Sequence, residues 1–110
     1  MFYELKLKNG ETYNLRMKSK TIIEFEKENG NVFEFLAKGT VESLVVLLFY
    51  LIKDYNHGFT KDNAYDLYDK LIEEGYTFGT ISDTIIAGGL QVSGFFTKED
   101  LEDIKGKMNK

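Results

Sequence analysis

Residues 44–52 are nine consecutive apolar or aromatic side chains, and no other stretch of the chain is as hydrophobic. Around them, Val41, Leu44, Val45, Leu48, Leu51, Ile52 and Tyr55 follow helical spacing, and Leu47 and Phe49 widen that stripe nearly all the way round. A helix that is apolar on most sides is buried on most sides. Thr40 is placed to cap the first turn, where Glu42 also suits the positive end of the helix dipole. The run is too short to span a bilayer, which takes about 20 apolar residues. The expectation is a helix over 41–55 at the centre of a small core, or one left partly exposed to meet a partner.

A chain of 110 residues fits one domain, and 43% hydrophobic content supplies its core. The net charge of −4 argues against nucleic acid as a partner, because phosphate binding needs clustered cations. Arg16 is the single arginine among 14 basic residues, so bidentate anion recognition is poorly supplied. Without cysteine there is no disulfide framework and no thiolate metal site, which fits the cytosol. The first ten residues lack the apolar run of a signal peptide.

Residues 2–17 alternate as a β-hairpin around Asn9-Gly10. Parity fixes the loop length. A two-residue loop would pair Leu5 with Asn14 and scatter the apolar side chains over both faces. A three-residue loop, Lys8-Asn9-Gly10, pairs Leu5 with Tyr13 and Tyr3 with Leu15, with Gly10 left-handed in a bulge. One face is then apolar and must be covered. Next, Thr21-x-x-Glu24 reads as a capping box opening a helix over 21–29, with Gly30 as its stop. Residues 31–39 suit a helical turn better than a strand. Thr60 is expected to cap a helix over 61–74 that buries Ala64, Leu67, Tyr68, Leu71 and Ile72 and ends at Gly75. Thr80-x-x-Asp83 is expected to open another over 81–93. Gly88-Gly89 inside it costs helix stability, and close packing is the favoured reason, a break the second. Of Phe95 and Phe96, one is expected to anchor the core and the other to lie on a contact patch. Residues 97–110 read as a short C-terminal helix or a frayed tail, with Leu101, Ile104 and Met108 as its stripe. The expected class is α+β: an antiparallel hairpin and about five helices, one domain over 1–96.

Chemistry is hard to find. Asp54-x-Asn56 fails as a calcium loop, since the sixth position is Phe59 where Gly is needed and the twelfth is Tyr65 where Glu is needed. His57 is the only histidine, with no acid or nucleophile set beside it by spacing. The acids Asp62, Asp66, Asp69, Glu73 and Glu74 read as a solvated helix face. No strand leads into Gly88-Gly89 and no Gly-Lys-Ser/Thr follows, so a phosphate loop is unsupported. No catalytic residue, cofactor or metal is expected.

The order of landmarks nevertheless resembles the tail assembly chaperones of long-tailed bacteriophages and prophages. The resemblance runs through residues 3–96. It is carried by the hairpin with Asn9-Gly10, by Thr21-Ile22-Ile23-Glu24-Phe25-Glu26-Lys27 ending at Asn29-Gly30, and by Thr40-Val41-Glu42-Ser43-Leu44-Val45-Val46-Leu47-Leu48. The helix of Tyr65-Asp66-Leu67 with its Glu73-Glu74-Gly75 end follows, and then Ser93-Gly94-Phe95-Phe96. The resemblance implies a non-enzymatic chaperone of the host bacterial cytoplasm, absent from the mature virion. Such a protein binds the tape measure protein, helps recruit tail tube subunits, self-associates, and engages neither nucleic acid nor membrane. Its contact surface is expected to combine Phe95 and Phe96 with Leu44, Leu48, Phe49 and Ile52. The alternative is a small virion structural or intracellular adaptor protein without catalytic activity.

Overall fold

The hairpin pairs as side-chain parity requires. In the computed structural model, which describes residues 1–97 and 99–100, β1 (Tyr3–Lys6) runs antiparallel to β2 (Thr12–Leu15). Tyr3 faces Leu15 and Leu5 faces Tyr13. The loop is the three-residue one: the Leu7 amide donates to the Glu11 carbonyl at 2.8 Å, and Gly10 takes φ 94°. Leu5, Leu7, Leu15 and Met17 are thereby all buried on one face.

Five helices follow the hairpin. They are α1 (Ser19–Asn29), α2 (Val32–Leu36), α3 (Val41–Lys53), α4 (Lys61–Glu73) and a composite α5 over 78–92. The hydrophobic run is the middle of α3, which touches β2, α2, α4 and α5. Leu44, Leu47, Leu48, Leu51 and Ile52 have no exposed surface. Thr40 caps α3 as expected, its hydroxyl accepting from the Ser43 amide at 3.1 Å. Thr60 caps α4 in a reciprocal box with Asn63. Ala64, Leu67, Tyr68 and Leu71 are buried as the spacing predicts, but Ile72 lies at the rim of that stripe and is exposed. Among the described residues no helix is long and apolar enough to cross a membrane.

Two helix starts differ from the sequence reading. α1 begins at Ser19, so Thr21 sits inside its first turn and no side chain of its own segment caps it. The cap comes from the end of α3. Asp54 accepts from the Lys18 amide at 3.0 Å and from the Thr21 hydroxyl at 2.8 Å. A carboxylate at a helix N-terminus satisfies orphan donors and opposes the dipole. Asp54→Ala is expected to cost about 1 to 2 kcal/mol, the scale of a lost N-cap, in a urea titration. An unchanged midpoint would show that α1 does not depend on this borrowed cap.

The last helix starts at Thr77 rather than Thr80. Thr77 and Thr80 form the reciprocal cap, each hydroxyl accepting from the other's amide. Residues Ile81–Ile86 then widen into a π-helical turn, where the Ala87 amide reaches the Ser82 carbonyl. The extra residue in that turn brings Ile81, Ile85 and Ile86 into the core together. Gly88-Gly89 is a site of close approach and not a break. A Cβ on Gly88 would clash with one edge of the Tyr3 ring, and one on Gly89 would lie 2.9 Å from a Leu51 methyl.

At the far end, Thr97 and Asp100 exchange amide-to-side-chain hydrogen bonds of 3.0 and 3.1 Å. The rest of the expected C-terminal helix, with Leu101, Ile104 and Met108, lies outside the described residues.

Candidate protein-contact surface

An apolar cleft of about 180 Å³ opens between α2 and α5. Phe33 and Leu36 form one wall and Ala87 and Leu90 the other, Phe96 lines it, and Ser82 and Asp83 supply polar edges. Each wall has a local cause. Asn31 caps α2 by accepting from the Phe33 and Glu34 amides at 2.8 and 3.2 Å. That turn buries Val32 and Phe35 and leaves Phe33 49% exposed on the opposite side.

The aromatic pair is aimed by the end of α5. Gly94 takes φ 93°, its amide donates to the Gln91 carbonyl at 3.1 Å, and the Phe95 amide donates to the Leu90 carbonyl at 3.1 Å. This pair of bonds is a Schellman stop, which folds the residue after the glycine back over the last turn. Phe95 consequently meets Phe33 edge-to-face at 5.7 Å between centroids. The expected division, one phenylalanine in the core and one on a patch, does not hold. Both are half-buried, and both belong to the region of the cleft.

The other expected contact residues separate from them. Leu44, Leu48 and Ile52 are wholly buried within the core and present nothing to a partner. A run that is apolar all round gives no sign of which side stays exposed, and four neighbouring elements cover this one. Phe49 is half-buried elsewhere, beside Tyr50 and under the Lys53 ammonium, which lies 5.6 Å from its ring. Phe33 and Leu36 were missed. The available signal was the amphipathic Val32, Phe33, Phe35, Leu36 turn, whose apolar residues exceed what one buried face of five residues holds.

A second cleft, of about 320 Å³, is polar. Glu11, Tyr13, His57, Asn63, Asp66 and Lys70 are among its lining residues, between β2 and α4. His57 is exposed there, as a loop histidine was expected to be. Asn56 braces the wall: its amide nitrogen donates to the Asn14 and Ile52 carbonyls at 2.8 and 2.7 Å, and its oxygen accepts from the Asn14 amide at 3.3 Å. Glu11 ties hairpin to helix. It accepts from the Tyr13 hydroxyl at 2.8 Å and from the Lys70 ammonium at 3.0 Å. These bonds, Tyr13 first and then Lys70 and Asn9, hold its carboxyl down at about 2. Burial, together with the Glu11 carboxylate, pushes the Tyr13 hydroxyl up to about 12.

Because the folded pKa of Glu11 lies below its ordinary 4.5, its contribution is complete above that pH. It fades as the pH falls from about 4.5 to about 2. Thermal melts of wild type and Glu11→Gln are expected to differ at pH 6 and to converge across that window. A difference that persists unchanged at pH 2 would place the effect elsewhere. Among the described residues no group of three or more His, Asp or Glu side chains is placed to hold a metal. Within this cleft Glu11 and Lys70 are used on each other, as a clasp between hairpin and helix.

Comparison of the chain with protein-family models, with curated proteins and with solved structures returns no match.

Proposed function

We propose that this chain is a phage tail assembly chaperone. It binds the tape measure protein, recruits tail tube subunits around it in the host bacterial cytoplasm, and leaves before the virion matures. The landmark order over residues 3–96 suggests the role, and the apolar cleft between α2 and α5 is the observation that carries it. A tape measure segment exposes apolar helix faces that aggregate when left free. A holdase needs an apolar recess to take side chains from such a face, a charged exterior that stays in solution, and no chemistry. The cleft is below the roughly 300 Å³ at which small-molecule pockets begin, and its scale suits about one or two apolar side chains of a docked helix. A net charge of −4 keeps the loaded chaperone soluble.

Phe96→Ser removes one of the two aromatic rings lining the cleft without touching the core run, and Phe33→Ser removes the other. Each is expected to weaken binding of a tape measure segment about tenfold or more, the scale of a lost aromatic anchor. Circular dichroism is expected to stay native. Full affinity in both variants would remove the cleft as the client site. The adaptor or virion-component alternative is separated by mass spectrometry of purified particles: a chaperone is absent from them, whereas a structural component is present in stoichiometric amount.

A further inference from the structure

The two edges of the hairpin are treated differently. Along β2 and the residue after it, the residues whose amide and carbonyl groups point away from β1 are Thr12, Asn14 and Arg16. The Asn56 side chain bonds both groups of Asn14, and the Arg16 amide donates to the Leu51 carbonyl at 2.8 Å. The chain itself thus closes that edge at Asn14 and at the Arg16 amide. Along β1 and its flanking residues the outward groups belong to Phe2, Glu4, Lys6 and Lys8, because Leu7, Leu5 and Tyr3 face β2. Lys8 is taken by Glu74, whose carboxylate accepts from its amide at 3.1 Å. The backbone of Glu4 and Lys6 has no such partner among the described residues. Both side chains are exposed, and they reach only each other, at 3.3 Å.

An open edge is a template for another strand, and lone lysines on an edge usually discourage one. Here the lysine comes with an acid two residues before it, and that pattern selects a particular partner. Antiparallel pairing of β1 with β1 of a second copy, about a two-fold axis at Leu5, makes Glu4 and Lys6 a hydrogen-bonded pair across the junction, twice over. Each Glu4 then stands directly opposite a Lys6, a favourable cross-strand pair. Moving the axis to Glu4 sets Glu4 against Glu4, and moving it to Lys6 sets Lys6 against Lys6. Parallel pairing in register places like charges side by side. Their neighbours across the hairpin, Asn14 and Thr12, are uncharged and compete for neither.

From this juxtaposition of an open edge and alternating charge we infer that β1 is a self-pairing strand, joining two copies of the chain into a four-stranded antiparallel sheet. The junction is isologous, as a two-fold contact must be. It gives four main-chain hydrogen bonds and two ion pairs. So small a contact is reversible and concentration-dependent. The pairing needs no client, so it is read separately from tape measure binding.

Charge reversal tests it. Sedimentation velocity of the full chain from about 10 μM to 1 mM covers the expected range of a weak dimer. Wild type is expected to dimerise there. Glu4→Lys and Lys6→Glu, each placing like charges opposite at both symmetry-related pairs, are expected to weaken the dimer about tenfold or more. Both positions are exposed, so thermal melts are expected to match wild type. An equimolar mixture of the two variants sets two cations against two anions and is expected to form a heterodimer at least as tight as wild type. The double reversal Glu4→Lys/Lys6→Glu is expected to restore the homodimer. A wild type that stays monomeric throughout overturns the inference. So do single variants that dimerise like wild type, or a mixture that fails to associate; the last two leave any association to another surface.

Discussion

Leu48→Ala is expected to lower the unfolding free energy by about 3 kcal/mol, within the range of about 2 to 5 for a buried Leu-to-Ala change. Leu48 has no exposed surface, and its helix, α3, is covered by β2, α2, α4 and α5. The lost methyl groups leave a void that four packed elements cannot all close. For a domain of this size the melting temperature falls by about 15 °C. The same change at Phe49, half-buried beside Tyr50, costs markedly less. The pair of variants therefore separates core from surface on one helix, which the sequence alone leaves mixed. A loss under about 1 kcal/mol at Leu48, read by urea unfolding, would mean that α3 is not the centre of the core.

Gly88→Ala is expected to destabilise by about 2 kcal/mol, although alanine is the better helix former by about 1 kcal/mol. The reason is the Tyr3 ring, which occupies the space a Cβ would take. Tyr3 itself is half-buried; burial, and after it the charge of Tyr76, raises its hydroxyl pKa. Displacing the ring therefore pulls β1 off α5. With Tyr3→Ala in the background the obstacle is gone, and Gly88→Ala is expected to be neutral or to stabilise by up to about 1 kcal/mol. This reversal of sign is the useful readout, since a generic helix effect would have one sign in both backgrounds. At Gly89 the obstacle is Leu51, which is wholly buried and has nowhere to move. Gly89→Ala is accordingly not rescued by Tyr3→Ala.

What was legible in the sequence follows physical range. The hairpin register came from local alternation, because only one loop length puts Leu5, Leu7, Leu15 and Met17 on one face. The caps at Thr40 and Thr60 and the stops at Gly30 and Gly75 were local too, and the structure keeps them. The start of α1 was not local. Its cap is Asp54, supplied across the fold, so Thr21-x-x-Glu24 looked like a beginning and is a first turn. In α5 two threonines, Thr77 and Thr80, offered competing starts, and the reciprocal bond between them decides for the earlier one. The π-helical turn had no periodic signature, since one extra residue shifts the stripe it would be read from.

The candidate site was half legible. Phe95 and Phe96 stood out as adjacent aromatics after a glycine. Their partner wall, Phe33 and Leu36, lies some sixty residues earlier and is joined to them only by tertiary packing. Leu44, Leu48 and Ile52 were drawn into the site by hydrophobicity, which marks burial as readily as contact.

The most direct test of the chaperone role is co-expression with a tape measure protein from the same phage, followed by affinity capture and size-exclusion chromatography. The tape measure protein is expected to remain soluble only alongside this chain and to co-elute with it, and Phe33→Ser and Phe96→Ser are each expected to lower the soluble yield. A tape measure protein that precipitates regardless, with this chain eluting without it, would contradict the account.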